Sequence, residues 1–272
     1  MTGGHYRRLL GGTNPDASVL SDIFIIIGCI CGALLFLYAV GRLSPSHARK
    51  ESNDFTGAVV AVIGTTYAVI LAFTLSGVWY MFQGAQANEE QEANALTNVY
   101  RIATQLQDPS AAPIQALCVR YAENALHREW PAMLNGTMPP EGGEMINQFW
   151  QLAGQAQAHA QPDAIAAYQL MEELRGLTQY RRLRVMQVRE SLPGILWAVL
   201  IAGGIITVAA CCFFGVENFR FHILQVLVLS FLISLVLVAI ADIDRPYQGY
   251  VSVNPSGFEN SLSTLQEKYG AK

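Results

Sequence analysis

The stretch GAVVAVIGTTYAVILAFTLSGVWYMFQ, Gly57 to Gln83, decides the fold. Up to Phe82 it holds no Asp, Glu, Lys, Arg or His, yet Gly, Thr and Ser recur inside it. It is long enough to cross about 30 Å of hydrocarbon as a helix. Three further runs share that property: Ile23–Gly41, Gly194–Gly215 and Phe221–Ala241. A buried core helix of a water-soluble domain would not come as one of four such runs. Only 14% of the 272 residues are charged, against about 25% in an ordinary soluble domain. The fold class expected is an all-α membrane protein with four transmembrane helices and a helical cytoplasmic domain between spans 2 and 3.

The first run is read as a retained span and not as a signal peptide, because a polar tail precedes it and no clean A-x-A site follows. The organisation expected is a tail at 1–22, spans 1 and 2 within 23–82, a polar helical domain at 83–193, spans 3 and 4 within 194–241, and a second tail at 242–272. With four spans, both termini and the middle domain share one side. Near the membrane that side carries Arg7, Arg8, Arg175, Arg181, Arg182, Arg184, Arg189 and Arg245. The other side carries Arg42, Arg49, Lys50 and Arg220. The excess of arginine, eight positions against four cationic ones, favours both termini and the middle domain in the cytoplasm.

In the middle domain, Leu96, Val99, Ala103 and Leu106 fall on one stripe of a helix that continues span 2 without a breaker other than Gly84. A helix follows from Ile114 and is expected to stop at Pro131. LNGTMPPEGG (Leu134–Gly143) is a loop, and a third helix begins near Glu144. QPDAIAAYQLMEELRGLTQYRRLRVMQVRESLP then starts at Asp163 and runs towards span 3, with Pro193 at the membrane. Arg181, Arg182 and Arg184 are expected at the lipid headgroups.

No phosphate-binding loop, no HExxH and no nucleophile motif is present, so no enzymatic constellation, cofactor or nucleic-acid footprint is expected. The cysteines Cys29, Cys31, Cys118, Cys211 and Cys212 make no CxxC and are read as small apolar fillers, without a metal. His222 is read as an interfacial polar residue. The four spans hold no Asp, Glu, Lys or Arg. Proton-coupled transporters mark their pathways with such residues, whereas a passive pore needs none.

On a helical wheel of span 2, Gly57, Ala61, Gly64, Thr65, Ala68, Ala72 and Ser76 form a small-residue strip of the kind that lets membrane helices approach closely. Ile63, Tyr67, Ile70 and Phe73 fall towards the other side. Two readings stand. The strip packs inside the subunit, or symmetry-related copies of the helix surround a pore that either face could line, with Ile63, Tyr67, Ile70 and Phe73 as the candidates for its constriction. The acidic turn Glu89, Glu90 and Glu92 is either a solvated helix face or, around such a pore, a cation-concentrating inner vestibule.

NDFTGAVVAVIGTTYAVILAFTLSGVWYMFQGAQANEEQEANALTNVYRIA resembles the opening of the bestrophin-like family of bacterial membrane proteins. REWP at Arg128–Pro131, RESLPGILWAVLIAGG and ADIDRPYQGYVSVNPSGF agree, so the resemblance covers roughly Asn53 to Leu265. It implies distant similarity to the bestrophins, pentameric ion channels whose second membrane helix lines the pore neck. It thereby implies a homo-oligomer in the lipid bilayer (a pentamer first, a tetramer second) passing small monovalent ions. Calcium-responsive bestrophins carry an acidic run after the last membrane helix. Here only Asp242 and Asp244 stand there, beside Arg245, too few ligands for calcium. Asp244–Arg245–Pro246 is read as a helix-stopping, locally paired boundary. The alternative to a channel is a non-conducting membrane scaffold or sensor that binds a partner through its cytoplasmic helices.

Overall fold

The computed structural model describes residues 15–43, 53–158, 164–216 and 218–269. Among them there is no strand. The helices are α1 (Pro15–Leu43), α2 (Asn53–Ala103), α3 (Ala111–Asn124), α4 (Trp130–Met133), α5 (Glu141–Ala158), α6 (Ala164–Gln187), α7 (Gly194–Cys212), α8 (Phe219–Ile243) and α9 (Ser256–Tyr269). Four of them, α1, α2, α7 and α8, are long and apolar enough to cross a membrane. The chain is an all-helical, multi-pass membrane protein.

The described residues divide into two compact units, 15–80 with 191–244 and 81–190 with 245–269. The 51 residues of α2 contribute to both. That is more than twice the roughly 20 residues a hydrocarbon crossing needs. The apolar stretch ends at Phe82, and the remainder belongs to the polar unit.

In the membrane unit, α1 packs on α7 and α8 through Leu37, Val40, Cys212 and Val226. A second cluster joins α2 to α7 and α8 through Val78, Leu200 and Ile240. Small residues permit the closest approach. Tyr67 of α2 lies against Gly203 and Gly204 of α7, where a Cβ on Gly203 would stand 2.6 Å from the ring. The Tyr67 hydroxyl donates to the Leu200 carbonyl at 2.9 Å, which satisfies the one polar atom of a side chain in apolar surroundings. Asn53, the first residue of α2, clamps the α7–α8 loop from both sides. Its amide donates to the Gly215 carbonyl at 2.8 Å and its oxygen accepts the Gly215 N–H at 2.9 Å. His222 is buried, with Nε2 3.1 Å from the Cys211 carbonyl, and so belongs to the packing of the α7–α8 end.

In the polar unit the buried residues are Ala85, Ala93, Leu96, Val99 and Ala103 in the second half of α2, Leu117 and Tyr121 of α3, Phe149 of α5, Leu174 and Leu177 of α6, and Phe258 of α9. Three expectations about its boundaries need correction. Pro131 does not stop the helix it lies in. The chain slips into one π-helical turn over Ala125–Glu129, and the Trp130 N–H reaches back to the Ala125 carbonyl. Pro131 then sits in the first turn of α4, where its missing N–H breaks no helical bond. The helix α6 ends at Gln187 and does not run to Pro193, which instead caps the start of α7. Asp244 caps the end of α8, and its carboxylate accepts the Leu192 N–H at 2.6 Å, a tie across 52 residues and not a local one. Asp163 lies outside the described residues.

Candidate functional site

Two features of α2 bear on function, one in each unit. In the membrane half, one face is turned into the subunit. Tyr67 and Val78 are buried, and Ile63, Ile70 and Thr74 are half-buried on the same side. The face opposite is open. Ala61, Thr65, Ala68, Ala72 and Ser76 are exposed along it, beside Val62, Val69, Phe73 and Tyr80. Gly64 has no atom within 4 Å of where its Cβ would be, whereas Gly57 approaches Phe214.

This arrangement corrects the wheel in two respects. The small-residue strip does not pack inside the subunit apart from its Gly57 end. Of the four bulky residues offered for a constriction, Tyr67 is committed to α7 and faces the subunit interior, and Ile63 and Ile70 turn the same way. Phe73 alone is well exposed, at 76%. The reason lies in the solvent. Lipid gives no hydrophobic reason to bury one uncharged face of a membrane helix over another, so close fit and the tyrosine hydrogen bond favour the inward face.

In the polar half, Glu89 and Glu92 are fully buried, and only Glu90 of the acidic turn is exposed. Neither buried acid stands in a vestibule. The Glu92 carboxylate takes a two-point bond from Arg184, Nε to Oε2 at 2.6 Å and Nη2 to Oε1 at 2.8 Å. Arg184 Nη2 also bonds Glu129 Oε2 at 2.8 Å, and Arg181 grips the same Glu129 carboxylate at 2.7 and 2.9 Å. The Tyr121 hydroxyl closes the cluster by donating to Glu92 Oε1 at 2.5 Å. Trp130 and Phe258 lie 5.7 and 5.5 Å from the Arg184 guanidinium carbon. The two arginines expected at lipid headgroups are therefore inside the polar unit, and Arg182 alone of the three is exposed.

The charges balance locally, two guanidinia against two carboxylates. Burial alone would push the Glu129 carboxyl up, but Arg184 and Arg181 overcome it and hold it below the usual carboxylate range. Burial, with Glu92 beside it, pushes the Tyr121 hydroxyl far above its ordinary value, so it stays a donor. Gly142 makes room for the pair, since a Cβ there would stand 2.1 Å from Glu129 Oε1. Arg181, Arg184, Glu129 and Tyr121 escaped the sequence reading as a set. The available signal was spacing, because Arg181 and Arg184 continue the stripe Ala167, Leu170, Leu174 and Leu177 of α6.

Glu89 serves a different neighbour. Its Oε1 accepts the Phe258 N–H at 2.9 Å at the start of α9, and a Cβ on Gly257 would stand 2.8 Å from both carboxylate oxygens. A carboxylate at a helix N-terminus is favourable, and α2 supplies it from 169 residues away. Burial nevertheless dominates and pushes the Glu89 carboxyl up to about 7, with Glu90 and Glu92 acting the same way and the Phe258 and Gly257 N–H groups against it.

Among the described residues no group of three or more His, Cys, Asp or Glu is placed to hold a metal ion. Cys118 and Cys212 are buried, and Cys29 and Cys31 are exposed on α1.

The same fold is found in solved structures. A bacterial bestrophin homologue from Klebsiella pneumoniae aligns with a TM-score of 0.69 at 12% identity, over 92% of this chain and 99% of that one. Two single-substitution forms of a bestrophin homologue from the same organism give TM-scores of 0.70 and 0.68, at 12% and 11% identity. They cover 92% and 90% of this chain and 99% and 98% of theirs. No curated protein sequence matches. At these identities the likeness establishes the fold. The bestrophin-like domain itself matches residues 27–258, most of the chain, and the chain belongs to the bestrophin-like family.

Proposed function

We propose that the protein is the subunit of a homo-oligomeric passive ion channel related to the bestrophins, with the pore walled by the open face of α2. One observation carries this reading. Over its membrane half, α2 leaves exposed an uncharged face of Ala61, Thr65, Ala68, Ala72 and Ser76 with Phe73 beside it, and among the described residues no other helix covers that face. Copies of such a face around an axis make a narrow, weakly polar wall that passes or stops ions by wetting and drying. The Klebsiella structures, described as bacterial bestrophin homologues, share the fold. A pentamer is the expected assembly, with a tetramer next. The termini and the polar unit belong in the cytoplasm of a bacterial inner membrane by the arginine bias. Monovalent ions suit a pore without buried charge. Glu89 and Glu92 are given no part in selecting them, because both are occupied inside the subunit.

The test is conductance of purified oligomer in planar bilayers. Phe73→Ala is expected to raise basal current by widening the neck. Thr65→Trp, on the open face, is expected to block it while leaving the oligomer intact by native mass measurement. Silent bilayers from well-folded wild type and Phe73→Ala, under every ion and voltage tried, would remove the channel and leave the non-conducting scaffold.

A further inference from the structure

The membrane unit holds a long apolar groove between α1, α7 and α8, of about 650 Å³. It runs along α1 from Asp22 to Phe36. At 1.5 Å per residue that is about 20 Å, more than the roughly 15 Å depth of one leaflet. Its walls are aliphatic and aromatic, and the hydroxyl of Ser230 is already bonded to the Val226 carbonyl of its own helix. Ser234 of α8 is the other hydroxyl along the wall. The mouth differs. Asp22 lies there, half-buried, with the charge of Asp242 as its neighbour. Among the described residues no Lys or Arg pairs with Asp22. A slot of acyl-chain length that ends in a carboxylate with no Lys or Arg partner among the described residues has a definite complement.

We propose that this groove binds one acyl chain of a membrane lipid whose headgroup ends in a primary ammonium, a phosphatidylethanolamine, with the ammonium donating to Asp22. The chain covers the apolar wall, and the ammonium offers Asp22 a cation at the mouth. A primary ammonium brings three N–H donors. A quaternary ammonium brings none, and an anionic headgroup is repelled by Asp22 and Asp242 together. The site rests only on the membrane crossing of α1, α7 and α8. It stands whether or not the protein conducts.

Trp197 lines the groove near the Asp22 end and reports its occupancy. The full-length protein is reconstituted in vesicles containing phosphatidylethanolamine, phosphatidylcholine or phosphatidylglycerol with dibrominated chains, which quench tryptophan on contact. The Trp197 component is taken as the difference between wild type and Trp197→Phe. Quenching is expected to favour phosphatidylethanolamine over each of the other two by roughly two- to fivefold, the range of an interfacial ion pair. Asp22→Asn should erase that preference while quenching persists. Gly32→Phe fills the groove from α1, where a Cβ at Gly32 meets no atom within 4 Å, and should abolish the Trp197 component. Cys29→Phe, which points into the same groove, repeats the test should Gly32→Phe fold poorly. Equal quenching by all three lipids, a preference that survives Asp22→Asn, or a Trp197 shielded from every lipid by a second copy of the chain would each overturn the proposal.

Discussion

The two halves of α2 follow one helical period and bury opposite kinds of residue. The membrane half turns Ile63, Tyr67, Ile70 and Val78 inward and leaves its small residues outside. The polar half turns Ala85, Glu89, Glu92, Leu96, Val99 and Ala103 inward, so two acids lie where the apolar stripe should run on uninterrupted. Each half solves the problem its surroundings set. Where lipid is outside, no hydrophobic gain separates the two faces, and close fit with one satisfied hydroxyl decides which goes in. Where water is outside, burying a carboxylate is expensive unless it is paired. Arg184 and Arg181 are the condition for the acids to be there. The first half is specified by shape and the second by charge, and the two can be broken separately.

The largest effect is expected from breaking the charge cluster. Arg184→Met leaves Glu92 buried without its two-point partner and Glu129 with one arginine instead of two. Removing one member of a buried pair costs about 3–5 kcal/mol. Thermal unfolding of the purified protein should show that loss, with Arg182→Met, an exposed neighbour, changing stability by less than about 0.5 kcal/mol. Equal effects at 182 and 184 would mean the cluster is not what holds the polar unit.

That contrast also explains what was legible in the sequence. Four spans, the long α2 and an all-helical polar unit follow from run length and the 3.6-residue period, which do not depend on partners. The cluster was half legible. Glu92 stands four residues before Leu96 on the apolar stripe, and Arg181 stands four after Leu177 on the other, so both helices marked the positions as inward. The pairing of Glu92 with Arg184 joins residues 92 apart, and no single stripe carries that information. Nearness to the membrane boundary was the wrong cue for the arginines, because side chains on one helix point to opposite surroundings within two residues. The inward face of the membrane half was not legible at all. The wheel separates Tyr67 from Ala68, but only Gly203 and Gly204, opposite Tyr67, say which of the two goes inside.

A smaller effect, of the charge half alone, is expected with pH. The Glu89 carboxyl is held up at about 7 from an ordinary 4.5. Between those values the folded protein keeps a proton that the unfolded chain releases, so stability is greatest at the acid end of the window and falls as pH rises through it. The change amounts to roughly 3 kcal/mol at most. Glu129 works in the opposite sense, and its contribution is lost only below the usual carboxylate range. Glu89→Gln keeps the hydrogen bond to α9 without a titrating group. Its unfolding midpoint should be nearly flat between pH 5 and 7, where the wild type slopes downward. A wild type already flat there would show that Glu89 is ionised in the fold.

The smallest effects belong to the membrane half, and their order tests whether shape or hydrogen bonding directs it. Gly203→Ala places a methyl 2.6 Å from the Tyr67 ring, which two packed helices accommodate only by moving apart. Overpacking of this kind costs about 1–3 kcal/mol. Tyr67→Phe keeps the ring on the glycines and deletes only the bond to the Leu200 carbonyl. Side-chain hydrogen bonds between membrane helices average about 0.6 kcal/mol, so this variant should be the milder of the two. Combined, the changes should not add, because both act on the same contact. If Tyr67→Phe proved more damaging than Gly203→Ala, the hydroxyl would be the determinant of the inward face and close fit its consequence. The two halves of α2 would then be governed alike, by the pairing of a buried polar group.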